Sequence, residues 1–77
     1  MRLLLYTREG CHLCEEARAV LERVGEPFEE VDISGDDELE EEYGFRIPVL
    51  LLDGKEHGYW RVEEDRLRSD LGLFSPG

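Results

Sequence analysis

Seventy-seven residues and 9.0 kDa hold one domain, expected to occupy residues 1–77, and its core must be small. Aspartate and glutamate number 20 against 9 lysines and arginines, a formal charge of −11 that argues against a nucleic-acid partner or an anionic membrane surface. No apolar run approaches the roughly 20 residues of a membrane span, and the N-terminus meets Thr7, Arg8 and Glu9 too early for a signal segment, so a cytoplasmic monomer is expected.

Residues 3–6 form a short apolar run, the pattern of a strand covered on both faces, broken by Thr7-Arg8-Glu9-Gly10. From Leu13 the positions Leu13, Ala17, Val20, Leu21 and Val24 recur at helical spacing. Gly25 sits where a left-handed cap belongs, and Pro27 prevents the helix resuming. Residues 28–33 read as a second strand, with Val31 and Ile33 alternating against Glu30 and Asp32. Residues 36–44 read as a short acidic helix with a solvated glutamate face, closed by Gly44. Residues 49–52 are an apolar strand, Asp53-Gly54 signals a hairpin, and the return strand is expected at about 57–61. His57 is expected at that strand's surface, and Tyr6, Tyr59 and Trp60 in the core or along a substrate groove. Residues 63–71 fit a final helix ending at Gly72. The order βαβαββα predicts an α/β fold with a mixed four-stranded sheet flanked by helices. The chain has no Asn, no Gln and a single lysine, Lys55, a composition that suits a thermophilic source or a GC-rich genome.

Cys11-His12-Leu13-Cys14 carries the chemical signal, with both cysteines between the first strand and the first helix. The unpaired N–H groups and partial positive charge of a helix N-terminus stabilise a thiolate, the nucleophile of disulfide exchange. Cys11 is expected to attack, and Cys14, one turn on, to resolve the mixed disulfide. A purely structural bridge across two residues would close almost no loop. Arg8 is the only cation expected nearby, unless Glu9 or Glu15 holds it in a surface pair; Glu15 and Glu16 suit the helix start but repel a thiolate. Two other classes stay open. One is a metal or iron–sulfur carrier using the same cysteines, with His12 and His57 as the nitrogen candidates. The other is a non-catalytic interaction module.

The segment Thr7-Arg8-Glu9-Gly10-Cys11-His12-Leu13-Cys14 resembles the active-site loop of glutaredoxins, with a basic residue three positions before the first cysteine. Residues 25–33 resemble that family's approach to its second strand, and Tyr43-Gly44-Phe45-Arg46-Ile47-Pro48-Val49 resembles its cis-proline segment. The likeness runs from Leu3 to about Leu71. It implies a thioredoxin fold, thiol–disulfide oxidoreductase activity with Cys11 and Cys14 catalytic, and substrate contacts from Arg8, His12, Ile47 and Pro48, with a cis bond before Pro48. It implies no bound cofactor and no metal, with disulfide-containing proteins or small thiols as partners and glutathione or another small thiol as reductant. Two departures stand out. The pair between the cysteines is His12-Leu13, and Trp60-Arg61-Val62-Glu63 replaces the Gly-Gly and polar pair of many glutaredoxins. Glutathione is therefore expected to be a poor specific ligand.

Overall fold

The computed structural model describes residues 2–73; Met1 and residues 74–77, the ends of the domain expected over 1–77, lie outside them. The elements follow the order β1 (Leu3–Thr7), α1 (His12–Val24), β2 (Phe28–Asp32), α2 (Asp37–Tyr43), β3 (Val49–Leu52), β4 (Lys55–Tyr59) and α3 (Glu64–Asp70). Their sheet has the strand order β2-β1-β3-β4, with β1 parallel to β2 and antiparallel to β3, and β3 antiparallel to β4. This is the mixed four-stranded βαβαββα arrangement expected.

One sheet face makes the core. Leu3, Leu5 and Leu50 pack against Ala17, Leu21 and Val24 of α1 and against Leu67 and Leu71. Side chains three and four apart share a helix face, so Cys14, Ala17, Leu21 and Val24 form the buried row. Leu13, expected in that row, lies to its flank and is 42% exposed. Gly25 ends α1 at φ 84°, donating its N–H to the Leu21 carbonyl at 3.1 Å, as its position in the sequence requires. On the other face Tyr6 stacks on Tyr43 of α2, ring centroids 4.6 Å apart. Cover there is incomplete, since Leu4 and Tyr6 remain half-buried, unlike the two-sided burial expected of this strand.

Several boundaries differ from expectation for local reasons. β2 ends at Asp32, although the N–H of buried Ile33 still donates to the Thr7 carbonyl at 2.9 Å. Asp53 and Gly54 both have positive φ, 52° and 83°, the geometry of a two-residue hairpin turn. Leu52 therefore pairs directly with Lys55, and β4 begins two residues earlier than expected. It stops at Tyr59 because Trp60 turns to φ 67°. The register slips by one residue between Leu50 and Leu51, leaving His57 as the extra residue of a bulge. His57 is accordingly not a surface residue: its side chain is 7% exposed and its Nε2 lies 2.7 Å from the Asp70 carboxylate of α3. Tyr59 and Trp60 are exposed rather than in the core. Gly44 closes α2 in a right-handed conformation. A Cβ there would collide with the Glu40 carbonyl oxygen, so glycine is needed for room rather than for a left-handed turn.

Candidate functional site

β1 ends at Thr7, and a turn over residues 8–11 closes with the Cys11 N–H donating to the Arg8 carbonyl at 3.2 Å. Gly10, third in that turn, has φ 76°, which a type II turn demands of its residue. The turn delivers Cys11 as the N-cap of α1, in extended geometry, with its Sγ accepting the Cys14 N–H at 3.2 Å. A capping side chain satisfies one of the orphan donors of the first turn. Here that side chain is a thiol, so the donor of the first turn points at a sulfur rather than at an oxygen.

The two cysteines are unbridged and unlike. Cys11 is half-buried at the mouth of the site, whereas Cys14 is 1% exposed. Burial pushes the Cys14 thiol up to about 12, its hydrogen bond with Cys11 adds to the rise, and the backbone N–H of Arg8 works against it. At neutral pH Cys14 therefore stays protonated. The accessible sulfur is Cys11, and the buried one stands behind it.

A pocket beside the pair is lined by Thr7, Arg8, Cys11, Cys14, Arg18 and Glu30, among others. Arg18 is the residue that the sequence reading missed. Arg8 is not the only cation near the cysteines, and its own guanidinium is engaged by Glu40 of α2 at 2.9 Å, not by Glu9 or Glu15. Arg18 grips Glu30 of β2 with two hydrogen bonds of 2.6 and 2.7 Å, and the Thr7 hydroxyl donates to the same carboxylate at 3.3 Å. The Arg18 hydrogen bond holds the Glu30 carboxyl below the usual carboxylate range, against the opposing effect of burial. The spacing of Cys14 and Arg18, one helical turn, was visible in the sequence. The partner across on β2 was not.

The other expected site residues are placed differently. The His12 side chain is 82% exposed, 3.8 Å from Glu16, and does not line the pocket. Pro48 is buried, follows a cis bond from Ile47, and immediately precedes β3. Tyr6 pairs with Val49, so one further step of that register sets Pro48 opposite Thr7, at the sheet end that carries the cysteine turn. The Trp60 N–H donates to the Pro48 carbonyl at 2.8 Å, tying the end of β4 to this segment. Arg61 and Val62 line a separate groove along α1 with Glu16 and Val20, which includes neither cysteine. Among the described residues, no three His, Cys, Asp or Glu side chains gather as a metal site.

Comparison with known proteins agrees with this fold. The sequence model of the Glutaredoxin-like domain (DUF836) matches residues 2–72. A structural-genomics target protein from X. campestris is 39% identical, with a TM-score of 0.80 over 95% of this chain and 99% of that one. The N-acetyl-S-hydroxy-L-cysteine reductase of Bacillus subtilis is 29% identical over 83% of this chain and 73% of its own length. Glutaredoxin C1 from Populus tremula x tremuloides, 16% identical, shares the fold with a TM-score of 0.66 over 94% of this chain and 77% of that one. With its thioredoxin-type sheet, its Cys11/Cys14 pair at a helix start and a family match across nearly its whole length, the chain belongs to the glutaredoxin-like domain family.

Proposed function

We propose that the chain is a thiol–disulfide oxidoreductase in which Cys11 attacks and Cys14 resolves. The observation that carries this is the asymmetry of the pair: an accessible N-cap sulfur with an N–H aimed at it, and a buried thiol one turn behind. The Cys11 thiolate attacks a disulfide, forming a mixed disulfide and releasing one thiolate. Cys14, after losing its proton, attacks the Cys11 sulfur, forms the Cys11–Cys14 disulfide and releases the second thiolate. The substrate gains two electrons and the protein dithiol loses them. A small thiol such as glutathione, or a reductase, then restores the dithiol. Arg8 assists through its backbone N–H, its guanidinium being held by Glu40, while Ile47 and Pro48 orient the substrate chain and His12 meets it from the exposed side.

The name of the Bacillus subtilis relative supports a small substrate. The same chemistry reduces an S-hydroxylated cysteine: Cys11 attack expels hydroxide, taken up as water, and leaves the mixed disulfide that Cys14 resolves. The test is turnover of a neutral small disulfide with a thiol donor. Wild-type protein is expected to turn over, Cys11→Ser to be silent, and Cys14→Ser to stop at a mixed disulfide visible by mass. Turnover by Cys11→Ser defeats the assignment. A freshly purified protein that is coloured, carries iron and ignores disulfides belongs with the metal carriers, and one silent in every assay with the interaction modules.

A further inference from the structure

Arg18 stands one helical turn beyond Cys14 and opens on the same pocket. Its guanidinium is fixed in direction by two hydrogen bonds to Glu30, whose carboxylate is also held by the buried Thr7 hydroxyl. Such a two-point clamp leaves an arginine little freedom. Cys14 has to lose its proton in the second step of the exchange, in a place where water reaches little of its sulfur. We propose that the ion pair of Arg18 and Glu30 sets the rate of that step, with Arg18 as the positioning cation that favours the Cys14 thiolate and Glu30 as the carboxylate that aims Arg18 and opposes the ionisation.

The charges around the cysteine pair decide between candidates. The turn before α1 supplies Arg8 and Glu9, α1 supplies Glu15 and Arg18, and β2 supplies Glu30 and Asp32. Four of these six are anions, so the net field opposes a thiolate. Of the two cations, Arg8 turns its guanidinium to Glu40 and offers Cys14 only its backbone N–H. Arg18 remains. Its charge is favoured by Glu30 first, then by Glu15 and Cys14, so the cation lies within electrostatic reach of the sulfur, while Glu30 pushes the Cys14 thiol up. In the step itself the Cys14 proton passes to solvent through the pocket. The thiolate attacks the Cys11 sulfur, and the departing thiolate recovers a proton from solvent.

This inference rests on the dithiol reading above, but its first test does not need turnover. In a Cys11→Ser background, the rate of Cys14 alkylation by a small reagent is followed against pH, since it tracks the thiolate fraction. Arg18→Met is expected to displace the profile upward by about one pH unit, roughly tenfold in rate at neutral pH. Glu30→Gln is expected to displace it downward, and Arg18→Lys to recover most of the Arg18→Met effect. A merely structural pair would loosen the pocket in either variant and speed alkylation in both. Displacement of both profiles in one direction, or of neither, overturns the proposal. If Arg18→Met does not fold by circular dichroism, Glu30→Gln carries the test alone, and an unmoved or upward profile overturns it. In the exchange reaction, release of the second thiol from the Cys11 mixed disulfide is expected to slow about tenfold in Arg18→Met, following the thiolate fraction. No mixed disulfide at all would count against the exchange reading instead.

Discussion

Cysteine is an unusual N-cap, because Ser, Asp, Asn and Thr accept the orphan N–H groups better. Its presence at position 11 exchanges some helix stability for reactivity, and the burial of Cys14 provides the complementary protected thiol. Two measurements follow from this difference. A small alkylating reagent near neutral pH should label Cys11 well before Cys14; faster labelling of Cys14 in mass-mapped peptides would reverse the roles. Stability should also fall on the alkaline side. Cys14 ionises near its ordinary value of 9.0 when unfolded but only near 12 when folded, so between those values the unfolded chain binds fewer protons. Unfolding is thereby favoured as pH rises, with a slope of at most about 1.4 kcal/mol per pH unit. Urea midpoints across that range should decline more steeply for the wild type than for Cys14→Ser. A residual decline belongs to Tyr6, whose phenol burial also raises. Equal slopes would show that Cys14 is not the group responsible.

At the scale of elements, α1 and α2 stand in different positions. α1 buries four side chains against the sheet and would persist through many surface changes. α2 is seven residues long and buries none. It is held by the Asp36 carboxylate accepting the Leu39 N–H at 3.1 Å, by the stack of Tyr43 on Tyr6, and by the Arg8 pair with Glu40. Gly44 is where these meet, since a Cβ there would strike the Glu40 carbonyl and crowd the Arg8 guanidinium at 3.1 Å. The obstructing atom is backbone and cannot swing aside as a side-chain end would. Gly44→Ala should cost about 2 kcal/mol in urea unfolding, the usual scale of overpacking. Gly10→Ala meets open space and should cost only the left-handed strain, about 1 kcal/mol. The reverse ranking would mean that α2 yields more easily than its contacts suggest.

Over the whole molecule, charge is the dominant feature. Among the described residues, Arg61 is the one arginine with no carboxylate within 4.0 Å; the others are drawn into ion pairs, and Arg23, Glu64 and Arg68 join in a chain. Exposed pairs of this kind each add little stability, but they leave the excess of carboxylates uncompensated. A net charge of −11 disfavours the approach of anions, and glutathione is a net anion. Trp60, Arg61 and Val62 also bring side chains where many glutaredoxins carry glycines. A glutathionylated peptide should therefore be reduced no faster than a neutral small disulfide, and added salt should raise its rate modestly by screening. A marked preference that salt weakens would identify Arg61 or Arg8 as a carboxylate clamp instead.

The order of elements and the place of the cysteine pair were legible in the sequence, because the signals that carry them are local. Gly25 and Asp53-Gly54 act through the dihedral freedom of one or two residues, and the apolar spacing over α1 follows from helix geometry. The glutaredoxin-like segments around Cys11 and Pro48 were likewise legible, because they are short and contiguous. What tertiary structure alone decided is which charges meet. Arg8 reaches across to α2 rather than to its sequence neighbours, and Arg18 finds Glu30 only because β2 returns parallel to β1 beside the start of α1. The bulge that turns His57 inward depends on the pairing of β3 with β4, one residue out of step. Local conformational preferences shape each element, but the partners of a long side chain depend on strand order and register, which emerge only when the whole core packs.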